Sequence, residues 1–198
     1  MSTSKFSHIL IALFFLGTLS GCGVNNIPTF DEKVKANWAQ VENQYQRRAD
    51  LVPNLVATVK GYAAHETETL QAVTEARSKV GSMQVNADML NNPQAMQQFE
   101  QAQSQLSGAL SRLMVVVERY PDLKANQNFL ALQSQLEGTE NRISVARRDF
   151  IAAVGTYNTE IRTFPGRIWH SVLYSDMPLR DTYQATKENA EEAPAVVF

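Results

Sequence analysis

The sequence predicts an all-α fold, an up-and-down antiparallel four-helix bundle with long helices. Apolar residues recur three and four positions apart over long stretches, and the alternation typical of strands is essentially absent. Glycine and proline are confined to a few places, which divide the chain into four long segments. Amphipathic helices with short connections prefer antiparallel neighbours, so the apolar stripes are expected to face one another.

The N-terminal segment, residues 1–21, is predicted to be a lipoprotein-type signal peptide. It contains Lys5 and the apolar run Ile9–Leu19, which is shorter than the roughly 20 residues that a membrane-spanning helix needs. Small residues before Cys22, the single cysteine, resemble the bacterial lipobox. The resemblance implies cleavage after Gly21 and acylation of the Cys22 thiol. An uncleaved signal-anchor is the alternative.

Acylation of Cys22 predicts stable membrane attachment, because two or more acyl chains hold a protein firmly on a bilayer. Residues 22–28 are then a short tether, and the helical part lies on the periplasmic, extracytoplasmic side. Gly23 stands where an aspartate would resemble an inner-membrane retention signal. The prediction therefore leans towards the outer membrane and leaves the choice of membrane open.

The first helix is expected to start at Thr29, which forms a capping box with Glu32. Its apolar stripe is Val34, Trp38, Val41 and Tyr45. Asp50 as a cap and Pro53 in a first turn favour a tight hairpin, followed by a second helix from about Leu51 to Val80. Its inner residues would be Leu55, Val59, Tyr62, Leu70 and Val73. A single helix kinked at Pro53 is the alternative.

The third helix is predicted from Pro93 to Arg119, because Asn92 caps it and proline suits its first position. The fourth follows Tyr120-Pro121 and ends at Pro165-Gly166. The bundle would thus span residues 29–165. Residues 166–186 carry an apolar patch expected to pack on the bundle end, and residues 187–198 are expected to form a mobile tail.

Composition narrows the possible functions. The formal net charge is −2 with acids and bases interspersed, so there is no basic patch and nucleic-acid binding is disfavoured. One cysteine excludes an intrachain disulfide framework. The length after cleavage suits one domain with a real core.

Two long segments closely resemble the LemA family: Trp38–Val56, and Tyr120–Asn126 continuing to Thr139–Ile143. Shorter similar blocks are Lys60–Ala63 and Tyr157–Pro165. This resemblance implies a four-helix bundle held at a membrane by its N-terminus, outside the cytoplasm, with no established catalytic activity. The family commonly has an uncleaved apolar helix, whereas this chain has a lipobox.

Catalytic sets are poorly supported, so the chain is predicted not to be an enzyme. A di-iron bundle site needs Glu-x-x-His, but the residues three before His65 and His170 are Tyr62 and Arg167. No Gly-x-Ser-x-Gly motif occurs, and the only thiol is assigned to lipid. No cofactor and no metal are predicted.

The remaining candidate site consists of polar residues in the family-like blocks. They are Glu42, Asn43, Arg47, Arg48, Asn54, Glu140, Asn141, Arg142 and Arg147. Two interpretations stay open: an interhelical network that fixes register, and a docking surface. The favoured function is a membrane-anchored scaffold or adaptor that presents helix faces to another envelope protein. The alternative is a ligand-binding or sensing helical module.

Overall fold

The computed structural model describes residues 23–83 and 87–181, which form helices and no β-strand. In chain order the elements are α1 (Asn26–Lys60), α2 (Thr67–Gly81), a 3₁₀ helix (Ala87–Asn91), α3 (Pro93–Val117), α4 (Pro121–Lys124), α5 (Gln127–Arg162) and α6 (Gly166–Leu173). The all-α prediction is confirmed for these residues. The predicted signal peptide, Cys22 and the 187–198 tail lie outside the described residues.

Helix α1 begins three residues before the predicted capping box, so the capping box is wrong. The Thr29 hydroxyl lies inside the helix and donates to the Asn25 carbonyl oxygen, at 2.7 Å. Pro28 fits this early start because a first turn does not need its missing N–H. Ile27 is fully buried. Residues 26–28, which were predicted to belong to the tether, are therefore part of α1.

The predicted hairpin at Pro53 is also wrong, because α1 continues through this proline. Proline lacks the N–H that would bond the carbonyl four residues earlier, here that of Ala49. The Arg77 side chain on α2 supplies a donor instead, since its Nε lies 3.4 Å from the Ala49 oxygen. The neighbouring helix thus partly satisfies the carbonyl that Pro53 leaves without a helical partner.

Packing outweighs the intrinsic cost of this proline. A proline inside a helix costs about 3 kcal/mol relative to alanine. Val52, Leu55 and Val59 flank it and are at most 2% exposed. Fully burying a side chain of this type contributes about 1.5–3 kcal/mol, so the three together exceed the cost.

The break predicted at Pro53 instead lies at residues 61–66, between α1 and α2. The predicted second helix, Leu51–Val80, is therefore divided between two helices. Tyr62, expected on an inner face, lies in this turn and is 46% exposed. Its hydroxyl accepts a hydrogen bond from Asn126 Nδ2, and Tyr120 donates to Glu66. We call this end of the molecule, with α4, the far end.

The core lies between α1 and α5, with α3 packed against both. Trp38 contacts the rings of Phe99 and Phe150, with centroids 5.7 and 5.4 Å apart. Asn26 at the start of α1 donates to Glu160 near the end of α5. Because Arg48, later in α1, pairs with Glu140, earlier in α5, the two helices run in opposite directions. The end that contains Asn26 is called the near end.

The predicted start of the third helix is confirmed. The Asn92 side chain accepts a hydrogen bond from the Ala95 amide at 3.1 Å, and Pro93 is the first residue of α3. Helix α5 is capped in the same way by Asn126, through the Phe129 amide. The cap at Asn92 explains why the start of α3 is evident from sequence. The predicted fourth helix, placed directly after Tyr120-Pro121, is instead divided into α4 and α5.

The C-terminal segment, residues 166–181, lies along the near end. Gly166 is required there, because a Cβ would overlap the backbone oxygen of Glu160. Trp169 and Tyr174 pack against the core. Ile168 and Val172, which belonged to the same predicted apolar patch, are exposed instead.

Candidate functional site

The candidate site forms where a polar residue occupies an apolar stripe on each of two helices. On α1 the buried positions Tyr45, Arg48 and Val52 step by three and four residues. On α3, Gln103 occupies the corresponding gap in the stripe. Arg48 is 1% and Gln103 3% exposed. The regular stripe therefore carries these two polar side chains into the interior.

Arg48 is the centre of the resulting Arg48 cluster, which comprises Tyr45, Arg48, Gln103, Ser107 and Glu140. Its Nη1 donates to Ser107 Oγ at 2.7 Å and to Glu140 Oε1 at 2.8 Å. Its Nη2 donates to the carbonyl oxygen of Gln103 at 3.2 Å and to Oε1 at 2.5 Å. The guanidinium also lies 5.0 Å from the Tyr45 ring centroid. One side chain of α1 thus binds both α3 and α5.

The ion pair is asymmetric in its exposure. The Arg48 side chain is 2% exposed, whereas that of Glu140 is 44% exposed. Glu140 can therefore remain hydrated while it neutralises a buried charge, which lowers the desolvation cost of the pair. The arrangement joins three helices and reaches solvent at Glu140.

A polar cleft of about 220 Å³ opens over this cluster, between α3 and α5. Its lining residues are Tyr45, Arg48, Glu100, Gln103, Ser104, Ser107, Glu140, Ile143, Ser144 and Arg147. Arg48 Nε and Gln103 Nε2 are buried donors without a hydrogen-bond partner among the described residues. Both can donate to an acceptor group.

The cleft also contains a carboxylate in an unfavourable environment. Burial raises the pKa of Glu100, and the charge of Arg147 only partly opposes this. Burial likewise raises the pKa of the Tyr45 phenol. The cleft thus offers hydrogen-bond donors together with a carboxyl group whose pKa is raised by burial, a set suited to binding a small polar group.

An apolar groove adjoins the cleft and shares Ser107 and Glu140 with it. Its volume is about 350 Å³, and we call it the α3–α5 groove. It is lined by Ser107, Leu110, Ser111, Met114, Gln133, Leu136, Glu137 and Glu140. The polar cleft and this groove together form a continuous surface between the two helices.

The structure separates the sequence-predicted site residues into different environments. Glu140 and Arg48 lie in the cluster, and Arg147 lines the cleft. Asn141 and Arg142 are exposed and line a different, shallow groove between α1 and α5. Exposed positions on α1 are occupied by Asn43, Arg47 and Asn54, while Glu42 is half-buried and burial raises its pKa. The set does not converge on one site.

A second polar cluster, at the near end, was missed from sequence. Arg180 is 8% exposed and donates to Asp31 Oδ1 from Nε at 3.1 Å and from Nη2 at 2.7 Å. Its Nη1 also donates to Asn91. Lys35 lies 2.9 Å from the other Asp31 oxygen. These contacts fasten the C-terminal segment to α1.

The electrostatics of Asp31 follow from this geometry. Burial works to raise the pKa of the carboxyl, but hydrogen bonds and charges of Arg180 and Lys35 outweigh it and hold the pKa below its ordinary value. Signals for this pair were weak in the sequence, since Asp31 and Arg180 are 149 positions apart. Asp31 does lie on the α1 stripe, four residues before Lys35 and three before Val34.

Neither of the two histidines within the described residues, His65 and His170, lines the cleft. His65 is exposed in the turn between α1 and α2, and His170 Nε2 lies 2.9 Å from the Met177 carbonyl oxygen on the near end. Within residues 23–83 and 87–181 no three acidic, histidine or cysteine side chains are grouped to hold a metal ion. The chemistry available to the cleft is hydrogen bonding and charge pairing.

Comparison with known proteins identifies the family. The family model described as LemA family matches residues 37–198, from α1 through the C-terminal segment. The chain belongs to the LemA family. The match includes the Arg48 cluster and the C-terminal segment.

Two kinds of relative are similar to this LemA-family chain. Magnetosome protein MamQ 2 of Paramagnetospirillum magneticum is 28% identical over 173 residues, 79% of this chain and 63% of the relative. Magnetosome protein MamQ of Magnetospirillum gryphiswaldense is 27% identical over 157 residues, covering 71% and 58%. Protein LemA of Metamycoplasma hominis is 24% identical over 163 residues, covering 81% and 70%. The chain thus spans about three-fifths of the MamQ proteins.

Among residues 23–83 and 87–181, no helix combines the length and the apolar character that crossing a bilayer requires. The long helices α1 and α5 are amphipathic instead, with one buried stripe and a polar outer face.

Proposed function

We propose that this LemA-family protein is a membrane-anchored, non-enzymatic scaffold that presents the α3–α5 groove to an envelope protein. In this proposal α1, α2, α3 and α5 form an up-and-down antiparallel bundle, and acylated Cys22 holds it on the periplasmic side. The single observation that carries the proposal is the position of Gly23. It lies at the near end, immediately before α1.

The geometry supports attachment at one end of a rod. Helix α1 has 35 residues and α5 has 36, so each is about 50 Å long at 1.5 Å per residue. Attachment at Cys22 would hold the near end at the bilayer. The far end would lie about 50 Å away, at the other end of the long helices. Neither long helix requires a ligand for its core packing, because both stripes are buried by other helices.

The groove supports a docking role. Leu110, Met114 and Leu136 line the groove between α3 and α5, where Met114 is half-buried and the two leucines are buried. Glu137 and Glu140 line the same groove. The Arg48 cluster fixes the two walls relative to α1. A partner segment that presents apolar side chains would find a groove whose shape is preset, which reduces the entropy lost on binding.

Site-specific photocrosslinking in intact cells tests this proposal. A photoreactive residue replaces Ser111, which is exposed in the groove, or Ser78, an exposed serine on α2 that serves as the matched control. We expect a protein adduct of defined mass from position 111 and none from position 78. Identical adducts from both positions, or none from either, would refute docking in the groove.

The anchor is tested separately with Cys22→Ser. We expect loss of metabolic acyl labelling and release of the protein from the membrane fraction. Persistence of both labelling and retention would exclude the lipid anchor. Retention without labelling would support the uncleaved signal-anchor, in which residues 1–22 hold the same end of the rod.

A second candidate function is binding of a small polar molecule in the cleft above Arg48. The observation that favours it is the pair of buried donors, Arg48 Nε and Gln103 Nε2, in a cleft of about 220 Å³. Titration of the intact protein with small carboxylates would show saturable stabilisation of the wild type. Gln103→Leu should abolish it, and absence of stabilisation in the wild type would remove this candidate.

A further inference from the structure

Helix α6 exposes an apolar face at the near end. Phe164 is 83%, Val172 70%, Leu173 54% and Ile168 48% exposed. Ile168 and Val172 are four residues apart and therefore lie on the same side of the helix. We call these four residues the α6 face. Phe164 lies two residues before α6, and the other three lie within it. Several exposed apolar side chains in one short segment are typical of an interaction surface.

The rest of the segment is well fixed, so the exposure is not caused by a loosely held helix. Trp169, in the same helix, packs against the core. Gly166 abuts the Glu160 backbone, and the buried Arg180–Asp31 ion pair holds the residues that follow α6. The α6 face is therefore held in a defined orientation on the bundle.

The location of the face indicates what covers it. Gly23 has a φ of +92° and turns the chain into α1. The backbone N–H of Asn26 donates a hydrogen bond to the Gly23 carbonyl oxygen. A Cβ on Gly23 would lie 3.8 Å from Pro165 Cγ, next to Phe164. The apolar N-terminal residues, with the run Ile9–Leu19 and Cys22, thus join the described domain beside the α6 face.

We propose that the α6 face lies in the headgroup and acyl-chain boundary of the same bilayer to which residues 1–22 attach the protein. This inference rests on the proposed membrane attachment and adds a second contact to it. An eight-residue helix is about 12 Å long and lies in the membrane plane rather than across it. The exposed aliphatic side chains of α6, with Phe164 just before it, are of the kind that such helices insert.

Charge contributes little to this contact. Arg162 and Arg167 are exposed near the face, but Asp176 and Asp181 are exposed in the same segment. A polybasic lipid site uses four to eight clustered basic residues, which this segment lacks. Apolar burial therefore dominates, and binding of the face should be insensitive to salt and to the fraction of anionic lipid.

Tryptophan reporters in the intact protein, reconstituted into vesicles that contain brominated phosphatidylcholine, test this proposal. Val172→Trp places the reporter on the α6 face. Val115→Trp is the matched control, because Val115 is also a valine with 70% exposure and lies on α3 towards the far end. We expect bromolipid to quench most of the emission that Val172→Trp adds over the wild type and to leave that of Val115→Trp unchanged.

Other outcomes overturn the proposal in distinguishable ways. A blue shift of Val172→Trp without bromolipid quenching would show that protein covers the face, either another copy or residues 1–22. Equal, unshifted emission from both reporters would show that the face remains in water. In either case, flotation of the protein with the vesicles would leave the proposed anchor intact. Loss of flotation in the wild type would refute the anchor itself.

Discussion

Replacement of Arg48 by methionine should destabilise the fold far more than the same replacement of its neighbour Arg47. Arg48 is 1% exposed and bonds α3 and α5, whereas Arg47 is exposed on α1. Both variants lose one positive charge and retain a long, unbranched side chain. Their difference therefore measures the buried network rather than net charge or helix propensity.

The magnitude follows from the partners that Arg48→Met would leave behind. Glu140 is 44% exposed and can be hydrated, so the ion pair itself contributes no more than about 1 kcal/mol. Gln103 is 3% exposed and would lose the donor to its Oε1, at a cost of about 1–3 kcal/mol. Together these give a loss of about 1–4 kcal/mol, or roughly 2–16 °C in Tm for a domain of this size.

Thermal and guanidinium unfolding of the intact protein in detergent, followed by far-ultraviolet circular dichroism, measures this loss. Arg47→Met should stay within about 0.5 kcal/mol of the wild type. A neutral or stabilising Arg48→Met would refute the reasoning, because buried ion pairs in some proteins are replaced by apolar residues without loss. Equal losses in the two variants would show that the effect is not specific to the cluster.

Three further predictions concern the backbone and the near end. Pro53→Ala should raise the free energy of unfolding by about 1–3 kcal/mol. Arg77→Met should then lower the free energy of unfolding less in the Pro53→Ala variant than in the wild type. A lower denaturation midpoint for Pro53→Ala would contradict this prediction. Because the folded-state pKa of Asp31 is depressed, its stabilisation is present above its ordinary pKa of 3.8 and is lost as pH falls below it. Asp31→Asn should therefore lower the denaturation midpoint at neutral pH and approach the wild type in acid, whereas a pH-independent difference would argue against the ion pair. Gly166→Ala should destabilise by overlap with the backbone, while Gly155→Ala, where a Cβ meets open space, should gain up to about 1 kcal/mol; equal midpoints would refute the contrast.

The heptad spacing of α1 shows how much of the fold could be predicted from the sequence. The buried positions Val41, Tyr45, Arg48, Val52 and Leu55 step by four and three residues without interruption. This regularity is evidence for one helix through residue 53, but local cap and proline signals favoured a hairpin. The periodicity was the better guide because burial of the whole stripe outweighs the local cost of a proline.

The same regularity identifies the Arg48 cluster once polar residues are kept in the stripe. Gln103 lies four residues after Phe99 and three before Leu106, a position skipped when only apolar residues are followed. Arg48 fills the equivalent place on α1. A polar gap in each of two facing stripes predicts a buried polar pair. The alignment of Glu140 with this pair depends on the register of α5, which no local pattern specifies.

Contacts between distant segments were beyond the sequence. The donor that satisfies the Ala49 carbonyl comes from Arg77, on a different helix. The partner of Asp31 is Arg180, which lies 149 positions away in the C-terminal segment. Charged side chains such as these are usually exposed, and here they leave the surface only because one element packs on another.

The two buried arginines would have different consequences for the proposed membrane-tethered rod. Arg48 joins α1, α3 and α5, so its loss should affect the whole fold. Arg180 joins the C-terminal segment to the start of α1, beside Gly23, so its loss should affect mainly the position of α6. If both the N-terminal residues and the α6 face enter the bilayer, the rod has two attachments at one end. Two attachments would restrict the tilt of the rod relative to the bilayer, whereas one attachment would not. In that case the Asp31–Arg180 ion pair would help to set the orientation in which the α3–α5 groove meets a partner.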